Sequence, residues 1–179
     1  GDGVSGLHVI AALLAAAAMP LPPVPTGAAS ATRPACDCTI PDFAAFASAA
    51  GLDAGFAGRC VIDLTRLSDS TGRFLWSFGV DADNRIFCFI ANNNKIYLRL
   101  RVGGVNLVNI STDALSEIGE THIDFQVKQG AYTLAVTGVP DAVPDDGTHA
   151  LPALTSAYVG SDFATSHLNG ALKYLSLGI

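Results

Sequence analysis

The chain closes with Leu151-Pro-Ala-Leu-Thr-Ser-Ala-Tyr-Val-Gly-Ser-Asp162, a short polar loop, and then His167-Leu-Asn-Gly-Ala-Leu-Lys-Tyr-Leu-Ser-Leu177. Two short apolar stretches flank the loop, and Gly160 and Gly170 stand where the chain must turn. Apolar stretches this short are strand-length rather than helix-length, and bounded by turn residues they read as β-strands. The end of the chain therefore predicts the closing strands of a β-sandwich.

The strand grammar extends upstream to Gly58. Arg59–Leu64 alternates, with Cys60, Ile62 and Leu64 on one side, and Asp69-Ser-Thr-Gly72 marks a turn. The alternation next predicts that Phe74, Trp76, Phe78 and Val80 share one strand face, with Trp76 in the core. Asp81-Ala-Asp-Asn84 turns the chain into Arg85–Ile90, which is apolar on both faces and reads as a central strand. Asn92-Asn-Asn94 is a hairpin signal, because asparagine tolerates positive φ. Lys95–Val102 then points Ile96, Leu98, Leu100 and Val102 inward, leaving Tyr97, Arg99 and Arg101 outward. Further strands are expected at Val105–Ile110, at His122–Lys128 with Ile123, Phe125 and Val127 inward, at Ala131–Thr137, at Ala157–Val159 and at Ala171–Leu177. Asp141–His149 reads as a long polar loop. Short strands at this spacing imply a mainly β fold, an antiparallel sandwich or jelly roll.

Composition agrees with a folded domain. Of 179 residues, 50% are hydrophobic and 15% charged, enough apolar material for a sizeable core. The net charge is −6, and the ten Lys and Arg are scattered along the chain, which excludes the basic footprint of a nucleic-acid binder. The cysteines at positions 36, 38, 60 and 88 lack the paired knuckles of a zinc ribbon. Cys60 and Cys88 alternate with Ile and Leu as small core residues do, and the spacing does not choose among disulfide pairings.

Residues 1–50 read as an N-terminal arm, and 51–179 as the sandwich. Leu7–Met19 is an alanine-rich apolar run stopped by Pro20 and followed by a Pro-rich spacer to Pro25. Three readings stand open. It is a docking or oligomerisation arm using Leu7, Val9, Ile10, Leu13 and Leu14, or a signal or anchor segment without a basic leader, or a helix on the domain's own core. The run is short for a membrane span. Asp42–Ala50 reads as a short helix started by Pro41 and Asp42 and stopped by Gly51.

From about residue 55 onward the order of motifs resembles a laminin-G-like domain of the concanavalin A-like lectin/glucanase superfamily. The matching pieces are Gly58-Arg-Cys-Val-Ile-Asp-Leu64, Arg73-Phe-Leu-Trp-Ser-Phe-Gly79, Glu120-Thr-His-Ile-Asp-Phe-Gln-Val127, Gly130-Ala-Tyr-Thr-Leu-Ala-Val-Thr-Gly138, and Tyr158-Val-Gly-Ser-Asp162 with Leu168-Asn-Gly-Ala-Leu-Lys-Tyr-Leu175. At two places the chain departs from the family pattern: Thr121 stands where Trp is usual, and Ala135-Val-Thr-Gly138 where Tyr-Val-Asn-Gly is usual. The resemblance extends to compact domains in bacteriophage tail, fibre and virion-surface proteins. It implies a non-enzymatic virion structural protein at a virion surface or outside the cell, head decoration, fibre or tail adhesin. Such a protein would contact other virion proteins through its arm, form homo-oligomers, and present the sandwich to host-surface glycans. The alternatives are a secreted carbohydrate-binding module and a glycoside hydrolase.

The candidate chemistry is sparse. Glycosidases of this fold carry a Glu-x-Asp-x-x-Glu strand, whereas here only Glu117-Ile-Gly-Glu120 occurs, in an apparent loop and without the central Asp. No Gly-x-Ser-x-Gly elbow is present, so no catalytic residue is assigned. Asp81, Asp83 and Asn84 crowd one turn and are the candidate calcium ligands, against the plain reading of an Asp/Asn turn; no other cofactor is expected. Tyr97, Arg99 and Arg101 are the candidate ligand-binding residues, a face for sugar stacking and hydrogen bonding or else for a subunit contact. His122 and His167 read as structural or surface residues.

Overall fold

The computed structural model describes residues 38–64, 67, 72–160, 168 and 170–178. The proposed arm residues Leu7, Val9, Ile10, Leu13 and Leu14, His167 and most of the Asp69–Gly72 turn lie outside the described residues. Strand β1 is Cys38–Thr39, and helix α1 is Phe43–Ala49. After a single 3-10 turn come β2 (Phe56–Leu64), β3 (Arg73–Asp81), β4 (Asn84–Ile90), β5 (Lys95–Val102) and β6 (Val105–Ala114). Then follow β7 (Gly119–Lys128), β8 (Ala131–Val136), β9 (Ser156–Val159) and β10 (Gly170–Gly178).

These strands form two antiparallel sheets. One has six strands in the order β1-β9-β3-β4-β5-β6, the other four in the order β10-β2-β7-β8. Alternation decides what lies between them. Ile96, Leu98 and Leu100 of β5 and Ile123, Phe125 and Val127 of β7 are all buried, as their period-two spacing requires. The two layers meet in an aromatic knot. Trp76 stacks on Phe78 at 4.8 Å within the larger sheet and meets Phe125 of the smaller sheet at 4.7 Å. Phe56 of β2 closes the group edge-on to Trp76 at 6.3 Å. Cys60 and Cys88 are free thiols inside this core, and burial pushes both well above the ordinary thiol range.

Strand β3 departs from simple alternation. Phe74 pairs with Phe89, but the next partner of Cys88 is Trp76, so Leu75 is an extra residue. Such a bulge reverses the facing of everything on one side of it. Leu75 and Trp76 both point into the core at 0% exposure, and Phe74 turns to the outer face. The single face expected for Phe74, Trp76, Phe78 and Val80 is therefore corrected: only Trp76 and Phe78 share it. A second register shift between Gly79 and Asp81 leaves Val80 47% exposed.

Helix α1 lies on the sandwich. Phe43 is buried and meets Phe78 with ring centroids 5.1 Å apart, and Ala47 is fully buried. Gly51, at φ 72°, ends the helix in the left-handed conformation that glycine adopts without steric cost. At the far side, residues 139–149 run along the outer edge of β8. Tyr132 and Asp145 exchange backbone hydrogen bonds there, at 2.9 and 3.0 Å. The Tyr132 hydroxyl donates to the His149 carbonyl at 2.7 Å.

Candidate functional site

The outer face of the six-stranded sheet is built from residues that alternate against the core. In the β4–β5 hairpin, Phe89 lies opposite Tyr97, Phe87 opposite Arg99, and Arg85 opposite Arg101. Their neighbours continue the rows. Ser77 of β3 is opposite Phe87, Tyr158 of β9 opposite Ser77, and Asn109 of β6 opposite Arg99. The sequence-predicted trio Tyr97, Arg99 and Arg101 thus stands on one face, and the bulge in β3 delivers Phe74 to the same face.

The rings form a continuous layer. Phe74 stacks on Phe89 at 5.4 Å, Phe89 stacks on Tyr97 at 5.2 Å, and Phe87 lies 5.4 Å from Phe74. Two guanidinium groups cap this layer. Arg85 sits 4.4 Å from the Phe87 centroid and 5.3 Å from that of Phe74. Arg99 sits 4.8 Å from Phe89 and 4.7 Å from Tyr97. Both lie within the range of cation–π attraction. Phe87 and Phe89 are buried at 3 and 8% exposure and make the floor, and Arg85 above them is 6% exposed, whereas Tyr97, Arg99 and Arg101 remain partly open to solvent.

Charge is unevenly balanced across the face. Arg101 is held at the turn: its Nε donates to the Gly104 carbonyl at 3.0 Å, and its Nη2 lies 3.7 Å from Asp83. Arg99 instead has a neutral partner, donating from Nε to Asn109 Oδ1 at 2.6 Å. Burial lowers the pKa of Arg99, and the repulsion of Arg101 adds to it. Burial also pulls Arg85 down to about 10, again with Arg101 contributing. Three arginines, Arg85, Arg99 and Arg101, therefore share this face.

The other candidates fall elsewhere. The Asp81 carboxylate closes its own turn, accepting from the backbone N–H of Asp83 at 2.8 Å and of Asn84 at 2.9 Å. These bonds hold it below the usual carboxylate range. Asn84 in turn accepts from the Gly103 N–H at 2.9 Å, and Asp83 faces Arg101. The candidate calcium turn and the candidate ligand face thus adjoin through the Asp83–Arg101 pair. Among the described residues no group of three or more His, Cys, Asp and Glu is placed to hold a metal ion.

Glu117 and Glu120 line a cleft of about 280 Å³ with Ser116, Ile118 and Thr121, at one end of the sandwich. Glu120 accepts from Lys173 at 2.8 Å and bonds His122 at 3.0 Å, and these partners hold its carboxyl below the usual range. A general acid needs the opposite shift. His122 lies on the outer face of the smaller sheet, beside the bidentate Arg59–Asp124 pair at 2.6 and 2.8 Å.

Phe74, Phe87, Phe89, Arg85 and Asn109 were not singled out by sequence. The signal for three of them was available: Arg85, Phe87 and Phe89 alternate in step with Tyr97, Arg99 and Arg101 across a three-asparagine turn, as the two arms of one hairpin face must.

No family model matches the chain, and no curated protein matches it. Among solved structures, the chain is similar to the CBM40 module of the Ruminococcus gnavus IT-sialidase solved with α2,3-sialyllactose, at TM-score 0.60 and 13% identity, covering 74% of this chain and 79% of that one. It is similar to leech intramolecular trans-sialidase at TM-score 0.59 and 14% identity, over 80% of this chain and 24% of that one. Domains LG4-5 of the mouse laminin α1 chain match at TM-score 0.53 and 15% identity, over 70% of this chain and 35% of that one. The fold is an antiparallel β-sandwich of the jelly-roll type that these neighbours share. Identities this low carry the fold alone. No helix among the described residues is long and apolar enough to cross a membrane.

Proposed function

We propose that this chain is a non-enzymatic glycan-binding module whose ligand face is the outer surface of the six-stranded sheet. The observation that carries this reading is the stack of Tyr97 and Arg99 on Phe89, an aromatic platform flanked by hydrogen-bond donors and partly open to solvent at Tyr97 and Arg99. A pyranose ring has an apolar face that stacks on such a platform and hydroxyls that need directional partners, which Arg99, Asn109 and Arg101 supply at its edge. The solved neighbours add to the reading, since one of them holds a sugar ligand.

The setting that the resemblance implies is a virion surface, with the apolar segment Leu7–Met19 docking on other virion proteins and the sandwich facing cell-surface glycans. Deleting residues 1–32 should then abolish assembly while leaving the sandwich folded. A secreted module would use the same face and differ in its N-terminal segment, so mass spectrometry of the mature N-terminus separates the two: retention of Leu7–Met19 excludes secretion by cleavage.

The face itself is tested on a glycan array with the full chain, displayed multivalently with and without calcium, beside Tyr97→Ala. Removing the platform ring should weaken every bound glycan about tenfold or more, as truncating a central aromatic anchor does elsewhere. Unchanged binding by a folded Tyr97→Ala protein places the ligand on another surface. A calcium requirement directs attention to the Asp81–Asn84 turn.

A further inference from the structure

We infer that the glycan taken by this face carries an acidic group, a carboxylate or a sulfate ester, seated against Arg99. The inference rests on the reading of the face as a glycan site. Its basis is an imbalance of charge. On a chain of net charge −6, three arginines gather on one sheet face, with Lys95 in the same β5 row paired to Asp113. Arg101 has Asp83 opposite it, and Arg85 feels the attraction of Asp83 and Asp81. Arg99 has no carboxylate among the described residues; its neighbours are Asn109 and the rings of Phe89 and Tyr97.

The geometry leaves room for an anion. Asn109 engages only Nε, so the end of the Arg99 guanidinium formed by its two Nη groups has no acceptor among the described residues. That end presents two parallel N–H donors, the arrangement that matches two oxygens of a carboxylate or a sulfate. The plane of the guanidinium is fixed beneath by the rings of Phe89 and Tyr97, so little side-chain freedom is lost on binding. An incoming anion also relieves a charge that half-burial and the neighbouring Arg101 disfavour. A neutral hydroxyl accepts the same hydrogen bonds and leaves that charge unmet.

The experiment compares matched oligosaccharides in neutral, carboxylated (sialic or glucuronic acid) and sulfated forms against the full chain, Arg99→Ala and, as a control on the opposite sheet, Arg59→Ala. A charge-assisted bidentate contact predicts that acidic forms bind about tenfold to a hundredfold more tightly than their neutral counterparts. Arg99→Ala should erase that preference, and Arg59→Ala should leave it intact. The preference should also shrink in high salt. Which acidic form prevails identifies the source of the anion. Neutral forms binding as tightly as acidic ones, with Tyr97→Ala still disruptive, overturn the acidic ligand and leave the glycan face standing. If folded protein binds none of the three classes, the glycan reading and the acidic ligand fall together. Melting of each variant beside the parent chain separates lost contacts from lost fold.

Discussion

A single hydrogen atom as the side chain of Gly79 lets β3 and β4 pair closely beside Arg85. Gly79 lies opposite Arg85, and a Cβ there would sit 2.3 Å from the Asn84 carbonyl oxygen and 2.6 Å from the Arg85 Cα. Both obstacles are backbone, so relief requires β3 and β4 to move apart. Gly79→Ala should cost about 1–3 kcal/mol, the usual range for overpacking. It should also tilt Arg85 off the rings of Phe74 and Phe87. Urea denaturation and glycan binding read the two effects separately. A variant as stable as the parent means the strands part without cost, and the geometry at Gly79 then carries no constraint. Tyr132 gives a second test at this scale, because its hydroxyl ties the 139–149 segment down through the His149 carbonyl. Tyr132→Phe keeps the buried ring and removes one hydrogen bond, so about 0.5–1.5 kcal/mol should be lost. Faster amide exchange at Gly130 and Tyr132, whose N–H groups donate into this segment, should accompany the loss.

At the scale of elements, strands were more legible than their faces. The Lys95–Val102 alternation specified β5 to the residue, with Ile96, Leu98 and Leu100 buried and Tyr97, Arg99 and Arg101 outward. The bulge at Leu75 was not legible, because Arg73-Phe-Leu-Trp-Ser-Phe is hydrophobic enough to fit either register. Only pairing with β4 decides which aromatic turns outward. The same run of hydrophobicity hid the floor of the site. Arg85–Ile90 read as buried on both faces, and Phe87 and Phe89 are indeed buried, but by the cations and rings of the outer face rather than by a second layer of core. Tyr97 and Arg99 stood out because they alternate with aliphatics; Phe87 and Phe89 did not.

The smaller sheet carries its own element-scale consequence. Its outer face is a ladder of ion pairs across β10, β2 and β7, with Lys173 bridging Asp63 at 3.0 Å and Glu120 at 2.8 Å, and Arg59 paired with Asp124. Hydrogen bonds from Lys173 and His122 depress Glu120, and that from Arg59 depresses Asp124. A depressed carboxyl binds its proton less readily in the folded chain than in the unfolded one. Its stabilisation is therefore complete above the ordinary carboxyl value of about 4 and disappears as pH falls through the lower folded value. Melting temperature should decline from pH 6 toward pH 2.5. A Glu120→Gln/Asp124→Asn double variant should show a shallower decline than the parent. The difference between them should be small, since these groups are exposed and screened. Parallel curves assign the acid sensitivity to other carboxyls.

For the whole molecule, the question is where the folding unit begins. Composition alone separates an alanine- and proline-rich beginning from the strand-rich remainder, and placed the division near residue 50. The described chain shows side chains before that point inside the sandwich core: Phe43 against Phe78, Ala47 fully buried, and β1 paired with β9. Losing one buried phenylalanine side chain to alanine costs about 3–5 kcal/mol, and a domain's whole stability is about 5–15 kcal/mol. A chain beginning at residue 51 loses Phe43, Ala47 and the β1 ladder together. It uncovers Phe78, which also stacks on Trp76 at the centre of the aromatic knot. A chain beginning at residue 38 keeps all of these. The shorter chain should therefore melt far below the longer one, or expose its core to dye binding at room temperature. The Phe43→Ala variant of the 179-residue chain should fall between them. Equal melting of the two truncated chains would show that the sandwich closes without its helix, and the folding unit would then begin at β2.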